Sequence, residues 1–322
     1  MLALVTGATG KVGNAVARAL VARGDAVRAL VRRADAALPA GVEPVIGDVT
    51  RADTVAAAVE GCELVFNAMG IPEQWLADEE EFERVNARGT ETVVRAAAAA
   101  GVRRVVHTST IDVFHAERGE RFDESRLADY PKGTAYERSK QRAEELALAA
   151  ADGTELVMVN PAAVYGPGPI GTPSFERDFF EPVVRKRRLA LPFLPEGGCG
   201  LVFSEGVASG HLLAAERGLP GERYILCDRH VTLRALAEAV SLAAGRGRVP
   251  PTLPGPVAST LAGLGEPLAR LTNTAPLLPR GQLHFFRWNA APDSSKAQDR
   301  LGWEPTPLDR GLRETLTAMG LV

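Results

Sequence analysis

The sequence has few cysteines, no excess of positive charge and no long apolar run. Cys62, Cys199 and Cys227 are scattered and lack metal-ligand spacing, so we expect a reducing compartment, with neither a disulfide framework nor a zinc site. The net charge is −3, which provides no basic field for a nucleic-acid partner. No apolar run reaches the roughly 18 residues of a membrane span, and the N-terminus lacks a signal peptide's basic region. We therefore expect a soluble cytoplasmic protein.

Lysine and tyrosine are also scarce: the chain has five lysines against 32 arginines, and four tyrosines. Chance alone gives only about 0.06 Tyr-x-x-x-Lys pairs in such a chain, yet Tyr136 and Lys140 have this spacing. On a helix the two side chains would lie one turn apart. A fixed cation beside a phenol favours the phenolate, so we predict that Lys140 lowers the pKa of Tyr136 and that Tyr136 is a general acid or base. The alternative is an exposed helix pair.

The first half of the chain alternates short apolar runs with longer helical patterns. This alternation predicts an α/β fold with a parallel sheet covered on both faces, which binds ligands beyond the carboxyl ends of its strands. The predicted strands are 2–6, 26–31, 43–46, 64–67, 102–108 and 155–159, with a late strand at 223–226. The predicted helices are 11–23, 51–60, 79–100, 132–151 and 232–244.

After Asn160 the character of the chain changes. Residues 161–173 are dense in Pro and Gly, which predicts an irregular connection, and residues 249–281 are typical of short helices and loops. We therefore predict a dinucleotide-binding domain over 1–166, to which 199–245 return. Residues 167–198 and 246–322 would form a smaller, mostly helical substrate-binding region.

A glycine loop follows the first predicted strand and opens the first predicted helix. Its glycines permit a tight turn and close backbone approach, and a helix N-terminus presents N–H groups to a pyrophosphate. The candidate cofactor-binding residues of this loop are Gly7, Thr9, Gly10, Lys11, Val12 and Gly13.

Arg32 and Arg33 stand where the second strand ends, the position at which an acidic residue would hold the ribose hydroxyls of NAD. Guanidinium groups there suit the 2′-phosphate of NADP, which makes NADP(H) the preferred cofactor and NAD(H) a possible one. A solvated charge pair is the alternative. Asp48 and Val49 follow the third strand, where the carboxylate could accept the adenine amino group.

Two further strand ends supply candidate residues. Asn67, Ala68 and Met69 end the fourth strand beside the expected cofactor, although such residues are also ordinary turn formers. Thr108, Ser109 and Thr110 close the fifth strand, where a hydroxyl could bond a substrate oxygen and share its proton with a tyrosine.

Together these features resemble the extended branch of the short-chain dehydrogenases/reductases, whose fold is a Rossmann-type doubly wound parallel sheet. The resemblance covers nearly the whole chain, and within the branch the sequence looks most like dihydroflavonol-reductase-like proteins. Its motifs are residues 6–13, Asp48, Val85-Asn86-Ala87-Arg88-Gly89-Thr90, residues 108–110, 136–140 and 160–168, Gln74-Trp75, Gly210-His211-Leu212-Leu213-Ala214 and the tail segments 293–297 and 301–305.

The resemblance implies specific roles. Tyr136 would be the catalytic acid or base, and Lys140 would bind the nicotinamide ribose. Thr110 would supply the catalytic hydroxyl, with Ser109 an open alternative. Three further residues take implied roles: Asn86 would hold the helix or a proton-relay water, and Pro161 and Val164 would border the nicotinamide. Relatives often form homodimers through helices equivalent to 79–100 and 132–151.

The leading hypothesis is an NADP-dependent oxidoreductase for a ketone, an aldehyde or a secondary alcohol. The apolar stretch 253–278 indicates a fairly hydrophobic substrate. Alternatives are a nucleotide-sugar epimerase or dehydratase with retained cofactor, and a non-catalytic nucleotide sensor. The basic run Arg185–Arg188 is typical of a solvated helix face but could clamp an anionic substrate. His115 is more typical of a surface histidine than of a proton carrier.

Overall fold

The structure is a computed structural model that describes residues 1–73, 75–170, 174–272 and 279–322, with the backbone alone over 264–272. Gln74, part of the predicted connection 161–173 and part of the apolar stretch 253–278 lie outside the described residues. The first half of the chain forms β1 (Leu2–Thr6), α1 (Lys11–Arg23), β2 (Ala26–Val31), β3 (Val42–Ile46), α2 (Ala52–Val59), β4 (Leu64–Asn67), α3 (Glu80–Phe82), a π-helical segment (Glu83–Arg88), α4 (Gly89–Ala99), β5 (Arg104–Thr108), a 3-10 turn (Ile111–Val113), β6 (Arg121–Phe122) and α5 (Ala135–Ala150).

The second half begins with β7 (Glu155–Pro161) and β8 (Ala163–Tyr165), and its remaining elements follow in order. They are a π-helical segment (Glu176–Phe180), α6 (Glu181–Val184), β9 (Leu194–Pro195), β10 (Gly198–Phe203), α7 (Ser204–Arg217), β11 (Arg223–Leu226), β12 (Arg229–Thr232), α8 (Leu233–Ala243), β13 (Thr252–Leu253), α9 (Gly255–Thr272), α10 (Arg280–Trp288), β14 (Ala291–Pro292), a π-helical turn (Ala297–Leu301) and α11 (Leu308–Ala318).

A seven-stranded parallel sheet organises the fold, with strand order β11-β7-β5-β4-β1-β2-β3. Its central strands β4 and β5 are buried along their whole length, because helices cover both faces. Helices α1 and α7 pack together on one face, and α4 packs between α2 and α5 on the other. The strand order reverses between β1 and β4, which is where such sheets bind ligands. The predicted Rossmann-type α/β fold is confirmed.

A second sheet is small and has the order β12-β10-β8, with β8 parallel and β12 antiparallel to β10. A separate apolar core lies around it, built from β8, β10, α6, α8 and α11. β11 belongs to the large sheet, whereas β10 and β12 belong to the small one. The division of the chain into two domains stays a prediction.

Several predicted elements differ from the structure. The expected single helix over 79–100 is interrupted by the π-helical segment Glu83–Arg88. The predicted irregular connection 161–173 contains β8, which gains its partner β10 from far along the chain. The predicted short helices of 249–281 include an 18-residue helix, α9. None of the helices in the described part of the chain is long and apolar enough to cross a bilayer.

Candidate active site

The glycine loop joins β1 to α1 and is shaped by close backbone contacts. Gly7 has a φ of 71°, and a Cβ there would lie 2.5 Å from the carbonyl oxygen of Ala68. A Cβ on Gly13 would lie 2.3 Å from the carbonyl oxygen of Gly7. At Gly10, the N-cap of α1, a Cβ would have its nearest neighbour 3.4 Å away, and no side chain among the described residues caps the helix. The loop therefore leaves helix N–H groups open to an anion and fits a dinucleotide pyrophosphate.

The charged residues beyond β2 and β3 lie on the surface. Arg33 pairs with Asp35 at 3.3 Å, both side chains being largely exposed. Asp48 Oδ1 accepts hydrogen bonds from Thr50 N at 2.9 Å and Thr50 Oγ1 at 2.7 Å. These bonds and the nearby Arg32 guanidinium hold the pKa of Asp48 below its usual value. Arg32 is exposed and lies near enough to Asp48 for its charge to act on that carboxylate.

Lys11 does not extend freely from the loop. Its ammonium donates to the carbonyl oxygen of Gly166 at 2.7 Å and to Glu176 Oε1 at 2.9 Å. Glu176 is buried, and its second carboxylate oxygen has no hydrogen-bond partner among the described residues. Lys11 therefore ties the glycine loop to the π-helical segment Glu176–Phe180, instead of serving as a free phosphate cation.

Asn67 at the end of β4 faces the interior. It accepts from Thr6 Oγ1 at 2.7 Å, and its Nδ2 lies 3.3 Å from Thr90 Oγ1 and 3.1 Å from His107 Nδ1. These contacts occupy the Asn67 side chain, so an approach of a cofactor at this strand end would involve the backbone, and this stays a prediction. The remaining predicted cofactor residues lie along the same edge: exposed Thr9, half-buried Val12, Val49 and Ala68, and buried Met69.

Tyr136 and Lys140 lie one turn apart on α5, as their spacing predicts. A capping box fixes the start of this helix: Glu137 N donates to Thr134 Oγ1, and Thr134 N donates to Glu137 Oε2. The Lys140 ammonium is buried and donates to the carbonyl oxygen of Thr108 at 2.8 Å. Burial lowers the pKa of Lys140 to about 8, against the opposing effect of nearby carboxylates.

The net pKa of Tyr136 is raised in this structure, whereas the sequence predicts that Lys140 lowers it. Burial raises the pKa of Tyr136, and the charge of Asp112 raises it further, while a hydrogen bond with the Thr110 side chain opposes the shift. The Lys140 ammonium is directed at the carbonyl of Thr108. Tyr136 is therefore a protonated phenol at neutral pH.

Thr110, not Ser109, is the hydroxyl that the structure brings against Tyr136. The Thr110 side chain is near enough to the phenol to oppose the rise of its pKa, and Thr110 Oγ1 donates to Asp112 Oδ2 at 3.2 Å. Ser109 Oγ is buried and has no partner within the described part of the chain. Thr108, the preceding residue, bonds through its own hydroxyl to His211 Nε2 at 2.7 Å, and burial lowers the pKa of that histidine to about 4.

Asn86 occupies the π-helical segment before α4 and is almost fully buried. Its Nδ2 donates to Ser139 Oγ at 3.1 Å, and its Oδ1 accepts from Ile71 N at 2.7 Å. Phe82, just before this segment, meets the Tyr136 ring edge-on at a centroid distance of 6.2 Å. The segment therefore braces α5 behind Tyr136.

The carboxyl end of β7 completes this edge of the sheet. Asn160 Nδ2 donates to the carbonyl oxygen of Thr110 and to Glu144 Oε1, both at 3.0 Å. Pro161 follows in the same strand and is buried, and Val164 in β8 is half-buried. Of these two predicted nicotinamide neighbours, Pro161 therefore directly follows the residue that bonds the Thr110 carbonyl, whereas Val164 lies in the small sheet.

Three ionisable groups near Tyr136 carry no sequence motif of their own. Asp112 is buried, and burial followed by the charge of Glu137 raises its pKa to about 7. Lys132 is buried too, 3.7 Å from Glu137 Oε1. Glu73 is half-buried, and burial raises its pKa. A sequence signal exists for Asp112, a carboxylate between the apolar residues Ile111 and Val113, two positions after Thr110.

The other candidates lie apart from this centre. His115 Nδ1 is 2.6 Å from the Tyr130 hydroxyl near the surface. Arg185 and Arg187 pair with Glu181 at 3.2 and 3.4 Å, and both line a surface cleft that no predicted catalytic residue shares. The three cysteines are buried free thiols. Nowhere in the described ranges do three His, Cys, Asp or Glu side chains gather as metal ligands.

Comparison with known proteins agrees with this geometry. The model of the NAD dependent epimerase/dehydratase family matches residues 3–227. Sterol demethylase protein B of Methylococcus capsulatus is 31% identical, over 95% of this chain and 94% of that protein. A dihydroflavonol 4-reductase-like protein of Synechocystis is 32% identical, over 97% and 92%. A ketoreductase of Stigmatella aurantiaca, named for a 4-farnesyl-dihydroquinoline-1-oxide substrate, is 34% identical, over 84% and 81%.

Solved structures give the same result for the fold. The crystal structure of gox2253 superposes on this chain with a TM-score of 0.82 at 30% identity. The match covers 99% of this chain and 98% of the gox2253 chain. The UDP-glucose 4-epimerase of Thermus thermophilus, solved with NAD, has a TM-score of 0.78 at 23% identity, covering 100% of each chain. The chain thus belongs to the NAD dependent epimerase/dehydratase family, among the extended short-chain dehydrogenases/reductases, and is an NAD(P)-dependent oxidoreductase.

Proposed function

We propose that this protein is an NADP-dependent reductase of an apolar ketone or aldehyde, or in reverse a dehydrogenase of the secondary alcohol. One observation carries the proposal: the Tyr136 phenol lies beside the Thr110 hydroxyl, next to the sheet edge on which the glycine loop opens. This arrangement supports proton delivery to a carbonyl oxygen beside a bound dinucleotide.

The residues that would hold the cofactor lie along that edge. The open N-terminus of α1 would take the pyrophosphate, Arg32 and Arg33 the 2′-phosphate, and Lys140 the nicotinamide ribose. Once bound, the nicotinamide would exchange a hydride with the substrate carbon.

The chain's own residues would manage the proton. Tyr136 is protonated at neutral pH, since burial raises its pKa further above 10, so its phenol could donate a proton to the substrate oxygen during reduction. The Thr110 hydroxyl would bond the same oxygen and orient it toward Tyr136. Lys140 would hold its ammonium close to the developing phenolate and stabilise it.

An apolar substrate is supported by two kinds of observation. The described part of α9 exposes Val257 and Leu261, whose relative exposures are 47% and 45%. Among the relatives, the Stigmatella protein is named as a ketoreductase of a farnesylated quinoline and the Methylococcus protein as a sterol demethylase. Both names refer to largely hydrophobic molecules.

A nucleotide-sugar epimerase is the second candidate. The fold of the Thermus UDP-glucose 4-epimerase supports it, since the two chains superpose over their whole lengths. The basic run Arg185–Arg188 gives little help, because its arginines line a cleft apart from Tyr136. The two candidates differ in one property, since an epimerase recycles its cofactor without net consumption.

An oxidation screen with NADPH over ketones, aldehydes and nucleotide sugars tests the proposal. We expect NADPH consumption with an apolar carbonyl compound, and a loss of turnover of about a thousandfold in Tyr136→Phe. Tyr130→Phe is the matched control, because this tyrosine contacts His115 near the surface, and it should retain turnover. Cofactor that co-purifies, with no net NADPH consumption on any carbonyl, would instead support the epimerase. Homodimerisation through α4 and α5 and a cytoplasmic location stay proposals, which light scattering and cell fractionation can check.

A further inference from the structure

We propose that Glu144 is a positioning residue that holds the backbone of Thr110 in place through the side-chain amide of Asn160. By fixing the Thr110 carbonyl, Glu144 fixes the place from which the Thr110 hydroxyl reaches the substrate oxygen. The inference rests on the proposed role of that hydroxyl.

Glu144 lies on the face of α5 that carries the two predicted catalytic residues. Tyr136, Lys140 and Glu144 follow one another at intervals of four residues, so their side chains leave the helix on successive turns of one face. Glu144 is 2% exposed. A carboxylate buried to this degree needs hydrogen bonds and a counter-charge to replace its lost hydration.

Both oxygens of the Glu144 carboxylate have such partners. Oε2 accepts a hydrogen bond from Arg223 Nε at 2.6 Å, and this guanidinium belongs to β11 at the edge of the large sheet. Oε1 accepts from Asn160 Nδ2 at 3.0 Å, and Asn160 lies at the carboxyl end of β7. Arg223 therefore supplies the counter-charge, and the other oxygen serves Asn160.

Asn160 connects Glu144 to Thr110. Its Nδ2 donates to the carbonyl oxygen of Thr110 at 3.0 Å as well as to Glu144. The nitrogen of a side-chain amide is a donor and its oxygen an acceptor, and both neighbours here are acceptors. The nitrogen must therefore face them, which fixes the orientation of the amide. Asn160 Oδ1 is buried and has no partner among the described residues, so within that part of the chain the bonds of Nδ2 alone orient the side chain.

Thr110 depends on this bond because it lies outside the strand ladder. β5 ends at Thr108, whose register partner in β7 is Val159, and Thr110 follows two residues later. The bond from Asn160 therefore continues the attachment of this segment to β7 beyond the last paired residues.

Loss of Glu144 would remove the reason for this orientation. The Asn160 amide can then turn its oxygen toward the Thr110 carbonyl, and two acceptors that face each other repel. The backbone of Thr110 would move away, and its hydroxyl with it. We therefore expect a displaced hydroxyl, in addition to any loss of stability.

The first test compares Glu144→Leu, which removes both acceptor oxygens, with Glu144→Gln, which keeps one for Asn160. Reduction of the carbonyl compound found in the NADPH screen is measured at pH 6. The Glu144 charge supports the ionised form of Lys140, whose pKa is about 8, and at pH 6 Lys140 stays protonated without it. We expect kcat to fall about tenfold in Glu144→Leu and less than about twofold in Glu144→Gln, because a displaced hydroxyl misdirects the substrate oxygen. KM for NADPH should stay unchanged in both variants.

Glu155→Leu is the matched control. Glu155 accepts from Arg104 Nε at 2.7 Å at the amino ends of β7 and β5, so this variant breaks an Arg–Glu pair at the opposite end of the strands that carry Asn160 and Thr108. It should retain kcat although the fold loses the pair. Equal losses of kcat in Glu144→Leu and Glu155→Leu would reduce Glu144 to a residue that only stabilises the fold, and would overturn the proposal.

A second readout needs no turnover. Thr110-Ile111 is the only Thr-Ile pair in the sequence. Labelling with carbonyl-¹³C threonine and ¹⁵N isoleucine therefore gives a single nuclear magnetic resonance correlation, which reports the Thr110 carbonyl and the hydrogen bond that it accepts. We expect this resonance to shift in Glu144→Leu and to keep its wild-type position in Glu144→Gln and Glu155→Leu.

The two readouts separate this inference from the proposed function. If the screen finds no substrate, the proposed function fails while the Thr110 resonance still tests Glu144. Should Glu144→Leu not fold, Asn160→Ala replaces it, because this variant keeps the Glu144–Arg223 pair and removes the bond to Thr110. An unchanged Thr110 resonance, or an unchanged kcat on a substrate that the wild type reduces, would overturn the proposal.

Discussion

The proposed cofactor edge and the proposed catalytic centre are built from the same sheet but in opposite ways. At the proposed cofactor edge, the glycine loop leaves the N-terminus of α1 without a side-chain cap, and the charges of Arg32, Arg33 and Asp35 are exposed. In the proposed catalytic centre, Asp112 and Lys140 are buried, and the charge of Asp112 acts on the Tyr136 phenol.

The comparison shows in which environment the fold can change the protonation state of a side chain. Exposed charges are screened by water and interact weakly with their neighbours. Buried groups lose hydration, and their pKa values move toward neutrality, to about 7 for Asp112 and about 8 for Lys140. The interior, not the surface edge, is therefore where this fold changes protonation states.

We expect the largest effect from Gly13→Ala, which places a methyl group against the backbone of the glycine loop. A methyl group 2.3 Å from the carbonyl oxygen of Gly7 forces the loop to move, and we expect a loss of about 3 kcal/mol in unfolding free energy. Urea unfolding measures it. Gly10→Ala is the control: its methyl group has a nearest neighbour at 3.4 Å, so it should weaken cofactor binding while leaving stability nearly unchanged. Wild-type stability in Gly13→Ala would contradict the close contact.

The second prediction concerns the stability of the buried centre. The folded pKa of Asp112 is about 7, above its ordinary value of 3.8, so ionisation opposes folding. This penalty is absent below pH 3.8, grows as the pH rises to about 7 and is constant above it. Asp112→Asn should therefore raise the free energy of unfolding at pH 8, and by less at pH 5.

Ionisation of Asp293 should affect the free energy of unfolding in the opposite direction to ionisation of Asp112. Its hydrogen bond with Arg121 lowers its pKa to about 2, so its ionised form stabilises the fold above pH 3.8, and this contribution is lost as the pH falls toward 2. Asp293→Asn should then destabilise the protein at pH 8. If urea unfolding gave both variants the same sign at pH 8, the contrast between buried and surface carboxylates would be refuted.

The smallest expected effect is a change of cofactor preference in Arg32→Ala. Removing the guanidinium should weaken NADPH binding about tenfold and leave NADH binding unchanged, because only NADPH carries the 2′-phosphate. Arg33→Ala should have a smaller effect, since Arg33 already pairs with Asp35. Fluorescence titration of both cofactors measures these changes. An equal loss of affinity for NADPH and NADH would show that Arg32 does not bind the 2′-phosphate.

Much of the sheet is predictable because its signals are local. The bounds of β1, α1, β2, β4 and β11 agree with the apolar runs and glycines that indicate them. The π-helical segment at Asn86 is not predictable in this way, because its amide bonds Ser139 and Ile71 from other elements. Likewise β8 is a strand only because β10 pairs with it, and Pro and Gly around it obscure any local signal.

The candidate site likewise has features that the sequence predicts and features that depend on tertiary structure. The spacing of Tyr136 and Lys140 and the glycine loop are properties of short segments, and sequence alone determines them through helix periodicity and backbone freedom. The tertiary structure decides the partners: Lys11 bonds Glu176, Asn67 turns inward, and Asp112 lies against Thr110. It also decides that Tyr136 is a protonated phenol. Burial and neighbouring charge depend on residues distant in sequence, and no spacing along the chain encodes them.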